Sequence, residues 1–330
     1  MSYFYSLLSQ INTQASPQGG WSVQSCPVGD WQYIAYGNGT FVAIYSSTTS
    51  GIMCSTDGKN WSITFQNKKF RFLVFYGNKF IVHCDAENNN VSNKLYQSTD
   101  GITWTLFKDL STLSPAPIVG GLAVCQRLVI IPIANSTGYY YDSDYNKFYN
   151  ANFPSNMQIT DMMYYGANGN KYDIALDRFG KIAVTSNLFN SWSTITASEP
   201  ATGNYSKLLT DASVGPIAIG STFEYISINV NSLSSITRSK PEANFDFAVS
   251  VDNPSLDKLF ICGTSQPDSY PELSKQISTF NNISDTFTNL TFPTDKVKCY
   301  TAGAFGDNKV VIVGAKNNNA TEQTVLLLEI

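Results

Sequence analysis

Apolar residues fall along this chain in short runs that come in pairs, each pair joined by a few polar or glycine positions. The first pair is Ile34-Ala35-Tyr36 and Phe41-Val42-Ala43-Ile44, separated by Gly37-Asn38-Gly39. Equivalent turns follow at Gly77-Asn78-Lys79, Cys125-Gln126-Arg127, 166–170, 211–215, Asp252-Asn253-Pro254 and Gly306-Asp307-Asn308. Glycine and asparagine supply the positive φ angles that tight hairpins require, so the pattern predicts seven antiparallel hairpins. The longest purely apolar runs, Leu128–Ile131 and Val325–Leu328, are far shorter than the ~20 residues of a membrane-spanning helix.

A longer repeat carries the hairpins. The first hairpin is followed by Ser55-Thr56-Asp57-Gly58-Lys59-Asn60-Trp61, the second by Ser98-Thr99-Asp100-Gly101-Ile102-Thr103-Trp104, and Asp57 to Asp100 is 43 residues. Further steps of 44 residues lead from Asp100 to Asp144 and from Phe148 to Trp192; weaker endings follow near Ile236 and Phe287. Seven hairpins thus stand against six unit endings. The missing ending is supplied by residues 19–26, which hold Trp21 ahead of the first hairpin, and about 310 residues shared among seven units gives about 44 each. The expected fold is all-β: a seven-bladed β-propeller over 19–330, closed by an N-terminal strand that removes the exposed edge of the last sheet. The alternative is six blades plus a terminal extension.

Composition narrows the function. Charged residues make up 14% of the chain, against about 25% in an average soluble domain. Thirty Asn and only four Arg give a surface of amides, hydroxyls and phenols. A net charge of −4 with no Lys/Arg cluster argues against a nucleic-acid partner. The N-terminus lacks the basic and long apolar regions of a signal peptide, so synthesis in a cytosol is expected.

Catalytic and metal chemistry find little support. The six cysteines lie at least 28 residues apart, and His83 is the single histidine, so no zinc site and no cofactor are expected. Cys84, Cys125 and Cys262 end apolar runs, which reads as free core thiols. His83 itself reads as an ordinary strand residue. The glycine-asparagine turns sit between strands rather than ahead of a helix, which excludes a phosphate loop.

The segments at 55–61 and 98–104 resemble the Asp boxes of sialidase-type (BNR) propellers, with one residue fewer between Asp and Trp. Thr185-x-Asn187-x-Phe189-x-x-Trp192 keeps the usual length but lacks the Asp and Gly. The resemblance implies structural roles for Ser55, Asp57, Gly58, Trp61, Ser98, Asp100, Gly101, Trp104 and Trp192: a carboxylate that accepts backbone amides, a left-handed glycine, and an indole packed between blades. It also raises sialidase activity, which in that family needs three arginines on central strands. Here the candidates are Arg71, Arg127, Arg178 and Arg238, and Arg127 falls in a turn. No enzyme is therefore expected.

Tyr-Gly-Asn-Gly-x-Phe-Val-Ala followed by Ser-Thr-Asp-Gly-x-x-Trp also resembles repeats of phage virion proteins. The expectation is a non-enzymatic virion component, receptor-binding or at a vertex or fibre, that attaches to a host-surface glycan or protein. Alternatives are a glycan-active or lectin-like sialidase-fold protein and an assembly-factor propeller. Candidate binding residues are the aromatic set Tyr139, Tyr140, Tyr141, Tyr145 and Tyr270, together with recognition loops at 85–93 and 264–276. Residues 1–18 form a separate segment in which Phe4, Leu7, Leu8 and Ile11 follow helical spacing, an amphipathic tether expected to dock on other virion proteins.

Overall fold

The computed structural model describes residues 20–45, 51–88, 90–133, 137–167, 169–195, 205–211, 215–220, 224–239, 247–251, 259–263, 276–281, 286–291, 296–317 and 320–330. The tether residues Phe4, Leu7, Leu8 and Ile11, as well as Tyr270, lie outside this set. The described strands form seven four-stranded antiparallel sheets. Six are meanders of consecutive strands: sheets I (31–66), II (68–109), III (119–151), IV (159–195), V (205–239) and VI (247–291). Sheet VII takes three strands from 299–329, and its fourth is Trp21–Cys26. That strand pairs with Gln323–Glu329 in a continuous register from Trp21↔Leu328 to Cys26↔Gln323, in the position that the count of hairpins and endings assigns to residues 19–26.

Each predicted turn falls, in sequence, between the first two strands of a sheet; residues 168, 212–214 and 252–254 of these turns lie outside the described residues. The first strands touch one another in cyclic order, sheet VII against sheet I included. Because each of the six sheets I–VI is a meander, its first and third turns share one face of the ring (the hairpin face). Its second turn and the link to the next sheet share the other (the crossover face).

The core consists of the spaces between neighbouring sheets. Trp31, Phe41, Ala43 and Met53 of sheet I pack on Val311, Val313, Val325 and Leu327 of sheet VII. Val42, Ile44 and Ile52, alternating with them, pack on Phe70, Leu73, Phe80 and Val82 of sheet II. A sheet buried on both sides needs unbroken apolar runs, which is why second strands such as Thr40–Tyr45 read as continuous hydrophobic stretches. Six first strands also break register one residue after a bulky side chain, at Trp31, Phe70, Val119, Ile159, Tyr205 and Tyr300. The bulge adds twist where the sheets converge on the axis.

The first glycine of the hairpin turn has a second task in sheets I and VII. A Cβ on Gly37 would lie 2.1 Å from the Phe75 ring of sheet II, and one on Gly306 would lie 1.9 Å from the Tyr36 ring of sheet I. In these two places the aromatic residue of one repeat seats against the glycine of the repeat before it. Gly37→Ala and Gly306→Ala are each expected to lower stability by about 1–3 kcal/mol, the scale of overpacking. Gly39, at φ +75 with nothing within 4 Å of a Cβ, should accept Asn at little cost. Chemical denaturation of the three variants checks the contrast.

Residues 85–93, expected as a recognition loop, instead extend a hairpin: strands Lys79–Glu87 and Asn90–Ser98 run almost to its tip. The polar sequence hides an ionic clamp. Glu87 accepts from Lys68 Nζ at 2.6 Å, from Lys94 Nζ at 2.7 Å and from the Tyr96 hydroxyl. Burial alone would raise the Glu87 carboxyl, but these partners hold it at about 2.

Candidate functional site

The two Ser-x-Asp-Gly-x-x-Trp loops close on themselves. Asp57 Oδ1 accepts from the amides of Lys59 and Asn60, both at 2.8 Å, and Ser55 Oγ accepts from Gly58 N at 2.9 Å. Trp61 Nε1 donates to Gly58 O at 3.0 Å. Ser98, Asp100, Gly101 and Trp104 repeat the pattern. Burial tends to raise the Asp57 carboxyl, yet the bonds from Asn60, Lys59 and Ser55 bring it well below the usual carboxylate range. Gly58 and Gly101 both have φ +75. Their bare α-carbons also face the preceding sheet, where a Cβ would meet Leu327 at 3.0 Å and Val42 at 2.6 Å. The indoles pack at the interfaces of sheets VII and I (Trp61), I and II (Trp104), and III and IV (Trp192). In the third copy Leu188 and Phe189 take positive φ in place of glycine, while the Phe189 ring, 1% exposed, is fixed in the core. The carboxylates in these loops are occupied by their own backbone.

The tyrosine set does not form one surface. Strand alternation sends Tyr139 and Tyr141 toward sheet II and Tyr140 toward sheet IV. Tyr139 is buried and donates to Pro115 O at 2.6 Å. Tyr141 donates to Asn146 Oδ1 at 2.7 Å and packs on Phe107 and Phe148. Tyr140 stacks on Tyr149 with centroids 5.6 Å apart. Tyr145 alone of the four is widely exposed, on the hairpin face.

The arginines are equally dispersed. Arg127, in the hairpin-face turn of sheet III, lies 3.8 Å from Asp142 and 3.6 Å from Asp144. Arg178 follows strand Asn170–Asp177 on the opposite face. Near the axis, Lys207 of sheet V sits 3.7 Å from Asp161 of sheet IV. The Tyr33 hydroxyl of sheet I, raised chiefly by burial, also feels Lys207, Arg71 and Asp161. Residues from four sheets converge there, with Lys207 paired to Asp161. His83 is buried, bonded through Nε2 to Asn93 Oδ1 at 3.1 Å and stacked on Phe72; burial lowers it to about 4, so it is neutral at physiological pH.

A concave feature with accessible side chains, among the described residues, is a cleft of about 820 Å³ on the crossover face between sheets III and IV. One wall is the link 152–158, carrying Phe153, and the other is the turn Asp177–Gly180, carrying Phe179. Asn150, Asn152 and Gln158 supply exposed amides between them. Sequence reasoning missed this cleft because its walls come from different repeats. No local signal marks it, because links of similar length that contain proline also follow the second and fourth units.

The sequence matches no protein-family model and no curated protein sequence. In three dimensions the chain is similar to the WD40 β-propeller domain of Doa1, at 9% identity over 93% of this chain and 96% of that one, with a TM-score of 0.62. It is also similar to Sqt1 of Saccharomyces cerevisiae, at 10% identity over 90% of this chain and 85% of that one, with a TM-score of 0.56. At such identity the likeness speaks for architecture alone. Together with seven sheets whose first strands meet in cyclic order, it identifies the chain as a β-propeller repeat protein.

Proposed function

We propose that this protein is a seven-bladed propeller, closed by its N-terminal strand, that works by binding rather than catalysis as an attachment component of a bacterial virus. The observation that carries the reading is the sequence shared by sheets I and II, Tyr-Gly-Asn-Gly/Lys followed by Ser-Thr-Asp-Gly-x-x-Trp, which resembles repeats of phage virion proteins. The surface chemistry supports it: few charges, many amides, and a cleft whose accessible groups are amides and aromatic rings. The dispersed arginines and self-satisfied carboxylates speak against a sialidase-type centre.

Purified protein is expected to bind the surface of host bacteria and to compete with infection. Protein that neither binds nor competes would remove the attachment role.

A further inference from the structure

We propose that the cleft between sheets III and IV is a binding site for an uncharged oligosaccharide. Three features of its construction lead there.

Two aromatic rings stand at its walls. Phe153 lies against Gly138, where a Cβ would come within 2.0 Å of the ring, and it stacks on Trp192 at 6.3 Å and 25°. Phe179 is 52% exposed, yet its backbone is pinned: its amide donates to Asp177 Oδ1, and Gly180 N closes the turn on Asp177 O at 3.0 Å. The Arg178 guanidinium lies 5.2 Å from the Phe179 centroid. The exposed ring presents an apolar platform on a backbone that has little conformational entropy left to lose.

The walls are tied to each other. Arg178 N donates to Gln158 O at 3.2 Å, Gln158 N to Asp177 Oδ2 at 3.4 Å, and Lys181 Nζ to Asn156 O at 3.4 Å. The cleft is therefore formed before a ligand arrives.

The free hydrogen-bonding groups are neutral. Asn150, Asn152 and Gln158 present exposed amides, each a donor and an acceptor. Of the charged groups at the cleft, the Asp177 carboxylate is buried and occupied by backbone amides, Lys181 Nζ donates to Asn156 O, and the Arg178 guanidinium lies over the Phe179 ring. A ligand with apolar faces and many hydroxyls, but no charge, matches rings flanked by amides. A sugar chain has that chemistry, and about 820 Å³ accommodates a short one.

This site assignment rests on the attachment reading for its biological meaning, although the binding itself is testable alone. The probe is a printed array of neutral and acidic glycans, followed by titration of the best neutral binder. Wild-type protein should bind neutral glycans. Phe179→Ala, and independently Gln158→Ala, should weaken that binding about tenfold or more while leaving the melting temperature unchanged. Tyr145→Ala, on the opposite face, should stay within about twofold of wild type. Three results would each overturn the assignment: no binding to any neutral glycan, wild-type affinity in both Phe179→Ala and Gln158→Ala, or binding confined to acidic glycans and lost in Lys181→Met. Glycan binding without attachment to cells removes the attachment reading and keeps the site. Cell binding unaffected by Phe179→Ala and Gln158→Ala, with a silent array, does the reverse.

Discussion

A chain lacking Trp21–Cys26 is expected to lose its single cooperative unfolding transition and to self-associate. These residues form the fourth strand of sheet VII, and their removal uncovers the whole length of strand Gln323–Glu329. That strand is apolar: Val325, Leu326 and Leu327 are 0% exposed. Val325 and Leu327 belong to the interface with sheet I, so damage at the edge reaches the seam between the two ends of the chain. Trp21 is itself 2% exposed, and losing so large a buried side chain removes about 3 kcal/mol before the ladder is considered. An apolar strand with unpaired amides and carbonyls is also a template for pairing with another copy. Thermal melts followed by circular dichroism, with light scattering in parallel, test this. A truncated chain with an unchanged single transition and no scattering would show that sheet VII stands without its N-terminal strand. A synthetic peptide of the deleted residues should restore the transition.

What could be read in the sequence depended on how local its cause was. The hairpins were legible because their turns demand particular backbones: Asn38 at φ 48, Asn78 at φ 61, Asp307 at φ 51 and Asn308 at φ 54 occupy the left-handed region that few residues tolerate. The strand at Trp21 was legible by counting, since seven openings needed a seventh ending. The seating of Phe75 on Gly37 was not, because ring and glycine lie in different repeats and each has a sufficient local reason to be there. Three consecutive tyrosines suggested a surface, whereas strand alternation divides them between two interiors whose partners, Phe107 and Phe189, lie far away in sequence. The cleft failed for the same reason: Phe153 and Phe179 are ordinary loop aromatics until sheets III and IV come together.

The turn of sheet III shows how such a distant cause can be tested. Cys125-Gln126-Arg127 has neither Gly nor Asn, and it is held instead from sheet IV by Asp173, 0% exposed. The carboxylate accepts from Gln126 N at 2.9 Å and from Gln126 Nε2 at 3.2 Å. Burial pushes this carboxyl up to about 6; the Gln126 bonds and the Arg127 charge oppose the shift without cancelling it. In the unfolded chain an Asp titrates near 3.9. A raised folded value means that the native state holds the proton more tightly. Its contribution to stability is therefore full below about pH 4 and is lost as pH rises through 6, a decline of about 3 kcal/mol. Asp57 and Glu87, held low, act in the opposite sense under acid conditions, so the wild-type profile alone would mix the three. Asp173→Asn isolates the term. Its amide oxygen still accepts from Gln126 N, and Gln126 can rotate its own amide to meet the new donor. The variant should match wild type near pH 4 and exceed it at pH 7 by up to about 3 kcal/mol. Urea midpoints at four pH values between 4 and 7 measure the difference directly. A gap that stays constant across that window would mean that Asp173 titrates as an ordinary carboxyl, and that the turn is held by packing alone.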